Sequence, residues 1–283
     1  MIKLSLEDIQ RMQAFEAKQS ITGRIFDFET VGDQIYINNY HDNPLRREVT
    51  IPDFVDGFNS NEESIYGSPF YKAKYIEKII CKPLNFYCNN LFSFMQLKKL
   101  DLSEFDTSKV KSMIEWFQSV HIEELILGGK FITENVNSMR GMFMNTTIDK
   151  LTGIEEGLNT LKCKNVNLMF YKANIGEIKL GDQFVLNERV ETNKIFAFAE
   201  TFRLDLGRSF EIGKNMYSGN SFMGCNIGSL IVYNNILQDE EYLEDEQFQD
   251  SKIERIFIRG RGVSKKCIEE LHIRLPNTEI IRG

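Results

Sequence analysis

The sequence predicts an α/β solenoid: a stack of units of about 26 residues with parallel strands, preceded by a helical and β-hairpin cap. Three observations predict it. An aliphatic residue recurs at Leu100, Leu125, Leu151, Ile178, Leu204, Leu230, Ile256 and Ile280, at intervals of 24 to 27 residues. Eight residues before seven of these anchors stands a phenylalanine: Phe92, Phe117, Phe143, Phe170, Phe196, Phe222 and Phe248. Phenylalanine is 22 of 283 residues, so chance does not produce this register. A second aliphatic follows most anchors by two (Leu102, Leu127, Leu180, Leu206, Val232, Ile258), the alternation of a short strand with one buried face. The third unit departs, with Gly153 in that place.

The stretch NSMRGMFMNTT, residues 137–147, has the look of a metal, cofactor or membrane-seeking segment when read alone. Its siblings IEWFQSV, NLMFYKAN, KIFAFAET and NSFMGCN show that it is one copy of a unit, so its Met and Phe side chains belong to the core between stacked coils. A further apolar row lies twelve residues before the phenylalanines, at Phe105, Phe131, Leu158, Phe184, Phe210 and Ile236. Each unit reads as strand, turn, short helix and loop. In SKVKSMIEWFQSV, Val110, Met113, Ile114 and Phe117 fall at helical spacing, and Thr107 and Ser108 suit an N-cap. A unit of this length with one strand and a helical turn or two is the leucine-rich-repeat kind of solenoid.

Residues 100–117, LDLSEFDTSKVKSMIEWF, resemble the BspA-type leucine-rich repeats, including the branch called DUF285. The match is close there and at 136–143. Residues 32–57, GDQIYINNYHDNPLRREVTIPDFVDG, resemble the hairpin and V-x-I-P strand of the related BspA form. SPFYKAKYIEKI, 68–79, resembles its tail, with Ala73 at a Cys position. The resemblance spans roughly residues 25–282. It implies a right-handed solenoid used for binding, in a family whose best-known members are secreted or surface adhesins. The expected organisation is a capping helix at 1–24, a hairpin and first coil at 25–74, and the repeat array at 75–283. In the first segment, SLEDIQRMQAFEAK opens on a Ser cap and sets Leu6, Ile9, Met12 and Phe15 on one helix face, to cover the first coil or to bind a partner.

A net charge of −7 argues against a general nucleic-acid binder, so direct nucleic-acid binding is not expected outside a larger protein complex. The first twenty residues lack the apolar run of a secretory signal, and no window approaches the roughly 18 apolar residues of a membrane span. The five cysteines (Cys81, Cys88, Cys163, Cys225, Cys267) are scattered, odd in number and without a CxxC pair, which fits a reduced, cytoplasmic chain. No catalytic set emerges. His41, His121 and His272 lie in distant units, phosphate-loop and nucleophile-elbow motifs are absent, and neither a cofactor nor a metal is expected.

Side chains beside the anchors face solvent. The row just before them runs Lys99, Glu124, Lys150, Glu177, Arg203, Ser229, Arg255, Glu279, an alternating charge ladder. The row just after them turns apolar at its C-terminal end, where Ile231, Phe257 and Ile281 follow Asp205, with Tyr233 one step along. An exposed apolar group of this kind either marks an interface with a partner or a second copy or is covered by the protein itself. The acidic run QDEEYLEDEQ, with Asp239, Glu240, Glu241, Glu244, Asp245 and Glu246, rims it, and the basic RGRGVSKK, 259–266, follows. The expectation is a non-enzymatic intracellular protein-binding scaffold with a protein partner or a second copy of itself. One version is an inhibitor docking on a host or bacterial defence protein, of the kind a phage encodes. The alternative is an exported adhesin or virulence protein.

Overall fold

A computed structural model describes residues 5–59, 68–71, 73–84, 88–186, 190–210, 220–233, 246–260 and 263–283. The repeat predicted from spacing is present as a parallel-strand β-solenoid of about eight turns. The chain opens with α1 (Leu6–Thr22), whose N-cap Ser5 accepts a hydrogen bond from the Asp8 amide at 3.1 Å. Phe15 meets Phe28 and Phe54 at 5.8 Å each, while Leu6, expected on the same apolar face, is 72% exposed. The helix therefore engages through the later part of its apolar stripe. An antiparallel hairpin follows, β1 (Phe26–Val31) and β2 (Gln34–Tyr40), where the family resemblance of residues 32–57 implies one.

After β3 (Glu48–Thr50) and β4 (Gly57–Phe58), one strand per coil builds the long sheet. Its members are β5 (Lys78–Ile80), β6 (Gln96–Asp101), β7 (His121–Ile126), β8 (Thr147–Thr152), β9 (Asn174–Ile175) with β10 (Glu177–Lys179), β11 (Glu200–Asp205), β12 (Asn226–Tyr233), β13 (Lys252–Arg259) and β14 (Glu279–Arg282). With β3 at one end they form an eleven-stranded sheet, in chain order and parallel. The anchors are in register: Leu100 pairs with Leu125 and Leu125 with Leu151, and Leu204 with Leu230 and Leu230 with Ile256.

Behind the sheet the seven phenylalanines form one buried column. Consecutive rings from Phe92 to Phe248 stack with centroids 5.2–5.4 Å apart and planes within 20° of parallel. Phe105, Phe131, Leu158, Phe184 and Phe210 are buried beside them, and Ile236 lies outside the described residues. The column continues backwards through Phe70, 5.7 Å from Phe92.

The short helix expected in each unit does not form in the coils of Phe117, Phe143, Phe170 and Phe196. Residues 114–119, 140–145, 167–172 and 193–198 are runs of turns. Every second amide there donates along the stack instead of back along its own segment: Met113 to Ser138 O, Glu115 to Arg140 O, Phe117 to Met142 O and Ser119 to Met144 O, all at 2.8–2.9 Å. Left-handed residues four apart turn the alternate amides aside, at Glu115 and Ser119, Gly141 and Asn145, Leu168 and Lys172, and Lys194 and Phe198. Thr107 is not an N-cap. Its hydroxyl donates to the Ile132 carbonyl at 2.8 Å and accepts from the Ile132 amide at 2.6 Å, tying its coil to the next. Thr133 and Thr160 repeat the device one and two coils on. Between β5 and β13 the described helical residues are α2 (Ile154–Gly157) and a single 3-10 turn at Glu246–Phe248. It follows Gly153, whose φ of +83° and approach to Gly128 exclude a side chain: a Cβ there would stand 2.5 Å from the Gly128 nitrogen. Helix α3 (Lys265–Arg274) joins β13 to β14 and buries Cys267 and Leu271.

Candidate functional site: the outward strand face

The face is built from three outward rows. The charge ladder predicted from the sequence is in register from Lys99 to Glu124 to Lys150, and from Glu177 to Arg203 to Ser229 to Arg255 to Glu279. Glu124 receives Lys150 at 2.6 Å and Lys99 at 3.5 Å, and Arg203 meets Glu177 at 3.2 Å. The hydrogen bond from Lys150 holds the Glu124 carboxyl below its usual pKa. Arg255 makes no ion pair among the described residues.

The second row places Ile231, Phe257 and Ile281 side by side, each in register with the next. They do not form the open patch that was expected. Ile231 is only 5% exposed, because Asp205 and Phe257 flank it one strand away on either side. The Arg259 guanidinium lies 5.9 Å from the Phe257 ring centre. Tyr233 pairs in register with Arg259 and is half-buried, and burial, then Asp205, raises its hydroxyl pKa. Phe257 and Ile281 remain half-exposed. Asp239, Glu240, Glu241, Glu244 and Asp245 lie outside the described residues, as does the Glu246 side chain; the backbone of Glu246 begins a short 3-10 turn.

The third row was missed. Two residues before each anchor stand Lys98, Glu123, Asp149, Gly176, Phe202, Gly228 and Glu254. Strict alternation turns this row inward, with the anchors. In the structure the ladder register skips it, so Leu97 pairs with Ile122 and Lys99 with Glu124 while Lys98 and Glu123 are passed over. Two successive side chains then face out in β6, β7, β8, β11 and β13, where Lys98, Glu123, Asp149, Phe202 and Glu254 are exposed. The signal was present: a row holding Lys98, Glu123, Asp149 and Glu254 does not belong in a core.

Phe202 breaks this charged row and is 64% exposed. Glycines stand on both sides of it. A Cβ on Gly176 would lie 2.4 Å from the Asp149 carbonyl and 3.5 Å from Phe202 Cε1, so the ring leans that way. A Cβ on Gly228 would meet the Phe202 carbonyl at 2.7 Å, so no side chain fits between the two strands there. Phe202 and the two glycines line an open groove of about 650 Å³, together with Glu200, Arg203, Glu254 and Arg255.

Other chemistry-bearing groups lie apart from this face or inside the stack. His41 bonds Asp27 at 2.9 Å in the hairpin region, His121 is on β7 and His272 on α3. Among the described residues no group of three or more His, Cys, Asp or Glu is placed to hold a metal ion. All five cysteines are free and buried, and burial pushes the Cys88 and Cys225 thiols up to about 12. No helix among the described residues is long and apolar enough to cross a membrane.

Residues 87–209 match the family model described as Mycoplasma protein of unknown function, DUF285. The resemblance drawn from LDLSEFDTSKVKSMIEWF lies inside that match. The DUF285 segment runs from the coil of Phe92 to the strand of Phe202, and the same Phe register continues beyond it to Phe248. No curated protein and no solved structure matches the chain.

Proposed function

We propose that this protein is a non-enzymatic, intracellular binding scaffold that holds a protein partner on its outward strand face. The observation that carries the reading is Phe202, a large apolar side chain left mostly in water in the middle of a charged row. The turn side of each coil spends its backbone amides on the next coil. The strand face instead presents side chains over a long, regular surface, the use to which solenoids lend themselves. In this reading residues 1–24 cap the array, 25–74 form the hairpin and first coil, and 75–283 the binding solenoid. An inhibitor of a host or bacterial defence protein is its narrower form, and the acidic run that would carry that form lies outside the described residues.

The test is a photoreactive amino acid placed singly at Phe202, at Phe257, and at the exposed loop residue Leu161, in cells that express the full chain. Covalent adducts with protein are expected at 202 or 257 and not at 161. Adducts at 161 alone, or equally at all three positions, overturn the choice of face.

A further inference from the structure

We infer that the occupant of this face is a second copy of the same chain, packed face to face about a two-fold axis parallel to the strands between β11 and β12. The inference rests on the protein-binding reading above and names the partner. In an isologous contact one patch must supply both members of every interaction. This patch does. Counting outward from the axis, β11 lies opposite the partner's β12, β10 opposite its β13, and β8 opposite its β14. Phe202 then stands over the second copy's Gly228, and the reverse, so that each ring enters the groove that the other copy's Gly228 lines.

The charge ladder obeys the same axis. Arg255, which has no ion pair of its own among the described residues, comes to face Glu177 of the second copy. Glu279 comes to face Lys150, and Arg203 faces the neutral Ser229. No like charges meet in this row or in the row of Phe202, where Glu254 faces Gly176 and Asp149 lies opposite the strand position of the buried Thr278. An axis running along β11 would instead set Arg203 on itself and Arg255 against Lys150. One running along β12 would set Arg203 against Arg255 and Glu177 against Glu279. Like-charge contacts across an interface disfavour both arrangements. The break in the alternation at Ser229 is what makes the ladder complementary to itself about this one line. Two sheets aligned in this way pack about 10 Å apart, a distance that Phe202 and the long Arg, Lys and Glu side chains span.

Sedimentation equilibrium of the full chain at low and moderate salt reads the result. The wild type is expected to be a dimer, and Phe202→Ser a monomer with unchanged circular dichroism. Arg255→Glu and Glu177→Arg should each weaken the dimer by about tenfold or more. The double variant restores opposite charges across the axis and should recover most of that loss, a rescue that a merely destabilised fold would not show. A wild type that stays monomeric at every concentration reached overturns the inference, as does a dimer indifferent to Phe202→Ser or a charge swap without rescue. A monomer that still forms adducts with a different protein from position 202 leaves the protein-binding face standing and removes only the second copy. No adduct and no dimer removes both.

Discussion

Replacing Phe143 by Ala tests the column that holds the stack together. Its side chain is fully buried, and its ring lies 5.2 Å from Phe117 at 9° and 5.3 Å from Phe170 at 4°. Truncating a buried Phe to Ala removes its apolar transfer energy and leaves a cavity, together about 3–5 kcal/mol. The coils on both sides are tied by backbone bonds every second residue, so they cannot close in on the space, and the cost should fall in the upper part of that range. Phe143→Leu separates the two contributions. It keeps most of the volume and loses two ring contacts, each worth about 0.5–1.5 kcal/mol beyond burial, so the expected cost is about 1–3 kcal/mol. Phe248→Ala, at the end of the described column with Phe222 as its one described stacking neighbour, should cost less than Phe143→Ala. Urea titration followed by circular dichroism measures all three, with the slope checked because a repeat array can lose its ends separately. The column argument fails if Phe143→Ala unfolds at the wild-type midpoint. It fails equally if Phe248→Ala is as damaging as Phe143→Ala.

Three further outcomes are expected. Thr133→Val keeps the shape but removes the hydroxyl that accepts from the Asn159 amide at 2.7 Å and donates to the Asn159 carbonyl at 2.9 Å; losing this pair of part-buried hydrogen bonds, with the Asn159 amide keeping its bond to the Gly157 carbonyl, should cost about 0.5–1.5 kcal/mol in the same titration, and a neutral result would mean the hydroxyl does not tie the coils. Lys172→Gly, at an exposed residue with φ of +54°, should stabilise the fold by about 0.5–1 kcal/mol by removing left-handed strain, and a loss of stability would count against that backbone. Glu124 titrates lower in the folded chain because Lys150 hydrogen-bonds it, so its contribution is complete above its ordinary value of 4.5 and disappears as pH falls through the lowered one; Glu124→Gln should flatten the acid limb of the stability curve, and an unchanged limb would show that the pair contributes nothing.

The inward set of residues was legible in the sequence, and the backbone that presents it was not. Val110, Met113 and Phe117 point inward whether residues 110–117 form a helix or a run of turns with a left-handed residue every fourth place, so their spacing does not separate the two. What separates them is the residue at those fourth places. Asn90, Gly141, Asn145, Asn220 and Gly224 all tolerate positive φ and recur at two fixed phases of the unit, two residues before or after the column Phe, a signal for turns instead of helix. Residues such as Leu168 and Phe198 occupy the same conformation without any local preference for it, and only the stack explains them. On the strand face the anchors and the charge ladder followed from alternation. The row of Phe202 did not, because the register skip that turns it outward is set by the pairing between coils and not by any one strand.

That hidden row also bears most on function. Alternating charge alone would keep the face soluble and in register, as it does from Lys99 to Arg203. The run Gly176, Phe202, Gly228 improves neither property. It exposes an aromatic ring, and it places two glycines, the residue that loses most conformational freedom on folding, inside the sheet. Departures from local consistency that bring no folding gain are characteristic of functional sites. Ile231, expected at the interface, shows the contrast: it obeys the local rules and is covered by its neighbours in the outward row. Phe202 breaks them beside an open groove, and a body that fills that groove covers the ring and the glycines at once.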